Sequence, residues 1–96
     1  MNPEINKIRE KINEIDKNIL KLLNERASLS KKIVDIKIKK NLPVCDPERE
    51  KNIIETLKKL NEGPLKHRDV EEVITAIIKV CKNLQHLVKN SGDKNG

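Results

Sequence analysis

No phenylalanine, tyrosine or tryptophan occurs among the 96 residues. The aromatic platforms on which single-stranded nucleic acid is commonly stacked are therefore absent, and any core must be aliphatic. Cysteine is nearly absent too. Cys45 and Cys81 stand 36 residues apart, with no CxxC pair and no Cys/His cluster at ligand spacing, so the sequence predicts no zinc site. Apolar runs are short, and none approaches membrane-spanning length. The opening Met1-Asn2-Pro3-Glu4 lacks the charged and apolar regions of a secretory signal. The expectation is a cytoplasmic protein with reduced thiols and no membrane partner. Glycine (3) and proline (4) are scarce, which leaves long stretches without punctuation.

What is present is aliphatic and charged. Leu, Ile and Val make up 29 of the 96 residues, enough for a core in one domain. Charged residues are 38% of the chain, with a net charge of +6. The cations are unevenly divided into 17 lysines and 4 arginines.

The first forty residues carry a helical pattern. Ile5, Ile8, Ile12, Ile15, Ile19 and Leu22 alternate steps of three and four, and the register returns at Leu29, Ile33 and Ile36. Asn2 is a suitable N-cap and Pro3 a suitable first residue. Nothing breaks the pattern before Asn41-Leu42-Pro43, so one helix is predicted from about Pro3 to Lys39. Asp46-Pro47-Glu48 starts a second helix, with Ile53, Ile54, Leu57 and Leu60 as its apolar positions and Glu62-Gly63-Pro64 as its stop. A third is expected from about Arg68 to Lys89. One of its stripes is Val70, Val73, Ile77, Val80, Leu84 and Leu87; the other is Ile74, Ile78, Cys81, Gln85 and Val88. The fold class read from this is all-α. Residues 1–89 form one helical domain, and residues 90–96 form a polar, disordered tail.

The length of the first helix has a consequence. At 1.5 Å per residue it is roughly 55 Å long, whereas a compact chain of this size has a radius of gyration of about 13 Å. Its apolar seam would project from a monomer. A second copy lying antiparallel would cover it, so the sequence predicts an intertwined homodimeric bundle.

Three polar residues interrupt the apolar stripes: Arg26, Glu50 and Gln85. Each needs a partner if buried, and three in one small bundle suggest an internal polar site. Lys37 lies eleven residues beyond Arg26, close to three full turns, and so points the same way. The arginines add a second argument. Where any cation suffices this chain uses lysine, and arginine stands only at Arg9, Arg26, Arg49 and Arg68. Its planar fork grips carboxylates and phosphates through two bonds, which points to a small dianion or dicarboxylate as ligand.

Taken together, these residues resemble the all-helical class of chorismate mutase. The resemblance spans about residues 5–88. It rests on Ile8-Arg9-Glu10-Lys11-Ile12, Ile15-Asp16, Leu22-Leu23-Asn24-Glu25-Arg26, Lys37, Leu42-Pro43-Val44, Asp46-Pro47-Glu48-Arg49-Glu50 and Leu84-Gln85. It implies the rearrangement of chorismate to prephenate, on the route to phenylalanine and tyrosine. Such a reaction needs no metal, nucleophile or proton transfer. It needs a compact substrate conformer and stabilisation of charge developing on an ether oxygen. By the resemblance, Arg26 clamps one substrate carboxylate and Arg9 reaches into the partner subunit's site. Lys37 and Gln85 donate to the ether oxygen. Glu50, with the Asp46 backbone region, binds the ring hydroxyl, and Arg49 orients Asp46 and Glu50. Cys81 stands where relatives often carry a small polar residue that touches a carboxylate; a thiol is a weaker donor. Cys45 is expected to be a small filler. Arg9 is about 25 Å from Arg26 along a straight helix, so the two cannot hold one small ligand from the same chain.

Two rival functions remain at this level. An isochorismate-pyruvate lyase of the same fold is similar at Arg9, Arg26 and Lys37 but tends to lack Asp46 and Glu50. A non-enzymatic basic helical module is compatible with the net charge, but the chain has no nucleic-acid motif and the polar breaks point inward.

Overall fold

The computed structural model describes the backbone of residues 2–95 and the side chains of residues 2–84. It consists of three helices, α1 (Pro3–Lys39), α2 (Pro47–Leu60) and α3 (His67–Asn95), with no strand among the described residues. This is the all-α architecture expected from the periodicity. None of the described helices is long and apolar enough to cross a membrane.

Local chemistry sets the helix ends. The Asn2 carboxamide accepts from the backbone N–H groups of Glu4 (2.8 Å) and Ile5 (3.3 Å), and Pro3 follows it. At the other end of α1, Asn41 adopts φ 54°, a left-handed conformation that asparagine tolerates. Its N–H bonds to the Ile38 carbonyl (3.2 Å), and the Leu42 N–H reaches back to the Lys37 carbonyl (2.8 Å). That pair of bonds is a Schellman motif, and it turns the chain sharply after Lys40. Asp46 caps α2 through Oδ1, which accepts from the Arg49 N–H (3.0 Å). At α3, Asp69 Oδ2 accepts from the Lys66 N–H (3.0 Å), half of a capping box.

Two boundaries differ from expectation. α2 ends at Leu60, not at Glu62-Gly63-Pro64, with Asn61 as its C-cap. The Asn61 side chain holds the turn, donating to the Leu65 carbonyl (2.6 Å) and accepting from the Gly63 N–H (3.1 Å). Gly63 supplies the left-handed conformation (φ 82°) in the loop and not in the helix cap. The backbone of α3 is helical to Asn95, where composition predicts a disordered tail over 90–96; the side chains there lie outside the described residues.

α3 packs against both α1 and α2. Its inner stripe is the second of the two read from the sequence: Ile78 and Cys81 are buried and Ile74 is half-buried. Val70 is buried as well, but Val73 and Val80 on the other stripe are largely exposed. On α1 the covered face is not the long isoleucine seam. It is a short stripe made of Arg26, Ala27, Ser30, Val34 and Lys37, with Val34 the most buried at 1% exposure. Small side chains at Ala27 and Ser30 carry little hydrophobic signal, which is why the pattern did not disclose this face.

The isoleucine seam is left open. Residues 7–25 are all exposed, and Ile8, Ile12, Ile15, Ile19 and Leu22 each keep about half their surface or more in contact with solvent. The dimensions agree: the chain extends 58 Å along its longest axis, with a radius of gyration of 17.4 Å. Among the described residues Val34 is the one fully buried side chain, and truncating it should be costly. Val34→Ala is expected to destabilise the fold by about 2 kcal/mol, read from urea unfolding at fixed protein concentration.

Candidate active site

The α1 face that meets α3, the loop after the Schellman turn and the first turn of α2 enclose a cavity of about 320 Å³. From α1 it receives Arg26, Ser30 and Lys37; from the loop, Cys45 and Asp46; from α2, Arg49 and Glu50; from α3, Cys81 and Lys82. Ile33, Val44, Ile53 and Ile78 supply apolar wall. Residues from Arg26 to Lys82 meet here because α1 and α2 both rest on α3.

Each polar group is held by specific bonds. Arg26 Nη1 donates to Cys81 Sγ (3.0 Å), which ties α1 to α3 and fixes one edge of the guanidinium. Lys37 Nζ donates to the Val44 carbonyl (3.2 Å), and its own carbonyl is capped by Leu42. The residue is thus fixed at both ends to the loop that carries Cys45 and Asp46. Asp46 is committed through Oδ1 to the α2 cap, which leaves Oδ2 for other partners. Glu50 Oε1 lies 2.9 Å from Lys82 Nζ, an ion pair joining α2 to α3. The Lys82 ammonium is held above its ordinary pKa, chiefly by that hydrogen bond; partial burial works against it, and the Glu50 charge adds to it.

Four cations (Arg26, Lys37, Arg49 and Lys82) thus face two carboxylates (Asp46 and Glu50) around one small cavity. The balance suits a ligand with two negative charges, and the two acceptors suit a ligand that also carries a hydroxyl group.

Six of the eight residues singled out in the sequence line this cavity: Arg26, Lys37, Asp46, Arg49, Glu50 and Cys81. Arg9 does not; it is exposed on the free part of α1. The side chain of Gln85 lies outside the described residues. Cys45 differs from expectation, being exposed at the cavity and not a filler of the core. Ser30 and Lys82 were not anticipated. Ser30 stands four residues beyond Arg26, so helical spacing carried a signal for it. Lys82 pairs across helices, and no spacing along the chain indicates that.

Comparison with known proteins identifies the family. The family model described as chorismate mutase type II matches residues 8–86, and the chain belongs to that family. A chorismate mutase of Methanocaldococcus jannaschii is 48% identical over 67 residues, covering 70% of this chain and 64% of that protein. A bifunctional chorismate mutase/prephenate dehydratase of Aquifex aeolicus is 40% identical over 90 residues, covering 90% of this chain but 25% of that protein. The chain therefore spans a quarter of one of these relatives and just under two thirds of the other. The solved structure of a Thermus thermophilus chorismate mutase superposes with a TM-score of 0.85 at 28% identity, covering 86% of this chain and 94% of that one.

Proposed function

We propose that the chain converts chorismate to prephenate. The observation that carries this reading is the convergence of Arg26, Lys37, Arg49, Asp46 and Glu50 on one small cavity in a chain of this family. The reaction breaks a C–O bond and forms a C–C bond within one molecule. Catalysis therefore consists of holding the compact conformer and matching the charge that develops on the ether oxygen. Arg26 binds one carboxylate. Lys37 and Gln85 donate to the ether oxygen, and Glu50 accepts from the ring hydroxyl beside Asp46. Arg49 keeps Asp46 and Glu50 in place, and Cys81 touches a substrate carboxylate.

The second carboxylate requires a further cation, which Arg9 of a second copy supplies. The exposed isoleucine seam supports a homodimer in which two antiparallel α1 helices cover one another. Two identical shared sites result. Neither a membrane nor a nucleic acid enters this scheme.

The test is direct. The purified protein, given chorismate, should consume it and yield prephenate as the identified product. Given isochorismate, it should release little pyruvate. Efficient pyruvate release without prephenate formation would assign the chain to the lyase reaction instead. Tight, steeply salt-dependent DNA binding without turnover would assign it to a binding module.

A further inference from the structure

We infer that Lys82 is a positioning residue, which holds the Glu50 carboxylate turned into the cavity. The inference rests on the proposed reaction, because it assigns the acceptor of that reaction a partner. It starts from the 2.9 Å ion pair, which spans two helices at the cavity wall. Glu50 sits in the first turn of α2, and its side chain is 25% exposed. Without a fixed partner, a three-bond side chain at that exposure samples several rotamers, and ordering it on binding costs entropy. Lys82 removes much of that cost beforehand. The contact engages Oε1, so Oε2 stays open to accept from a substrate hydroxyl.

Other charges face the pair without replacing it. Arg26 and Lys37 come from α1, Asp46 and the Cys45 thiol from the loop, and Arg49 from α2. The first two are already engaged, Arg26 with Cys81 and Lys37 with the Val44 carbonyl. Among the described residues, Lys82 is the cation within bonding distance of Glu50. The pair is partly exposed, and such pairs contribute little to stability. Its consequence should therefore appear in turnover and not in melting temperature.

The test is a double-mutant cycle with Lys82→Met, Glu50→Gln and the double variant, with Lys82→Arg as the conservative control. Lys82→Met should lower kcat/KM about tenfold at unchanged melting temperature. The same change in the Glu50→Gln background should have little further effect. Lys82→Arg, which retains a cation at similar reach, should recover most of the loss. An equal loss with or without Glu50 would overturn the inference, because Lys82 would then act on substrate directly. A wild-type rate for Lys82→Met would overturn it as well. A second measurement does not depend on turnover: NMR titration of labelled lysine should show the Lys82 ammonium titrating at lower pH in Glu50→Gln than in wild type. An unchanged titration would mean that the pair does not form in solution, and the inference falls whatever the activity. Absence of turnover in the wild type, with the titration shifted as expected, would count against the proposed reaction and leave the pairing standing.

Discussion

Arg9→Ala and Arg26→Ala proteins, each refolded alone, should be nearly inactive on chorismate, and refolding the two together should restore about a quarter of the wild-type rate per chain. The arithmetic follows from the shared site. Random pairing makes half of the dimers mixed, and a mixed dimer has one site with both arginines and one with neither. Each single loss should be large. Arg26 is half-buried, tied to Cys81 and directed at the cavity, so removing it takes a charge-assisted fork from a site of about 320 Å³. Losses of about 3–4 kcal/mol, roughly a hundred- to a thousandfold in rate, are ordinary for such donors. Arg9 is exposed in the single chain, and its truncation alone should not disturb the fold. A loss of activity at unchanged helicity therefore has to come from a site in the other subunit. If the mixture recovers nothing while each variant folds, the two arginines do not share a site across chains.

How much of this was legible beforehand depends on whether the physics was local. Both ends of α1 were readable because Asn2-Pro3 and Asn41-Leu42-Pro43 act on their immediate neighbours. The start of α2 was readable at Asp46-Pro47 for the same reason. Its end was not, since Asn61 terminates it with a side chain that bridges onward to Leu65. The polar breaks at Arg26 and Glu50 stood out because a charge inside an apolar stripe needs a partner, and both line the cavity. The identity of those partners was hidden. Cys81 answers Arg26 and Lys82 answers Glu50 across helices far apart in sequence. The α1 stripe through Ala27, Ser30 and Val34 was hidden too, because close helix packing there relies on small residues. The conspicuous isoleucine repeat marks the face that a single chain leaves bare.

That bare face supports the other large effect. Ile19→Glu should convert the dimer to monomer, with loss of activity and of much of the α1 helicity. An antiparallel register that brings Arg9 opposite Arg26 puts the two-fold axis midway between them, near Lys17 and Asn18. In that proposed dimer Ile15 and Ile19 would flank the axis and meet their symmetry mates or near neighbours. Each substituted isoleucine forfeits about 1.5–3 kcal/mol of apolar burial, and symmetry counts the loss twice. Two glutamates brought together near the axis add desolvation and like-charge repulsion. A total near 5 kcal/mol or more weakens association by at least about three powers of ten. The freed α1 has little else to hold it. Residues 7–25 are all exposed in the single chain, and an isolated helix of that length is marginal in water. Sedimentation measures the assembly, circular dichroism the helicity, and chorismate turnover the site. A fully active Ile19→Glu dimer would show that the seam is not the interface. A folded, fully active monomer would show that the Arg26 site is complete without a second copy.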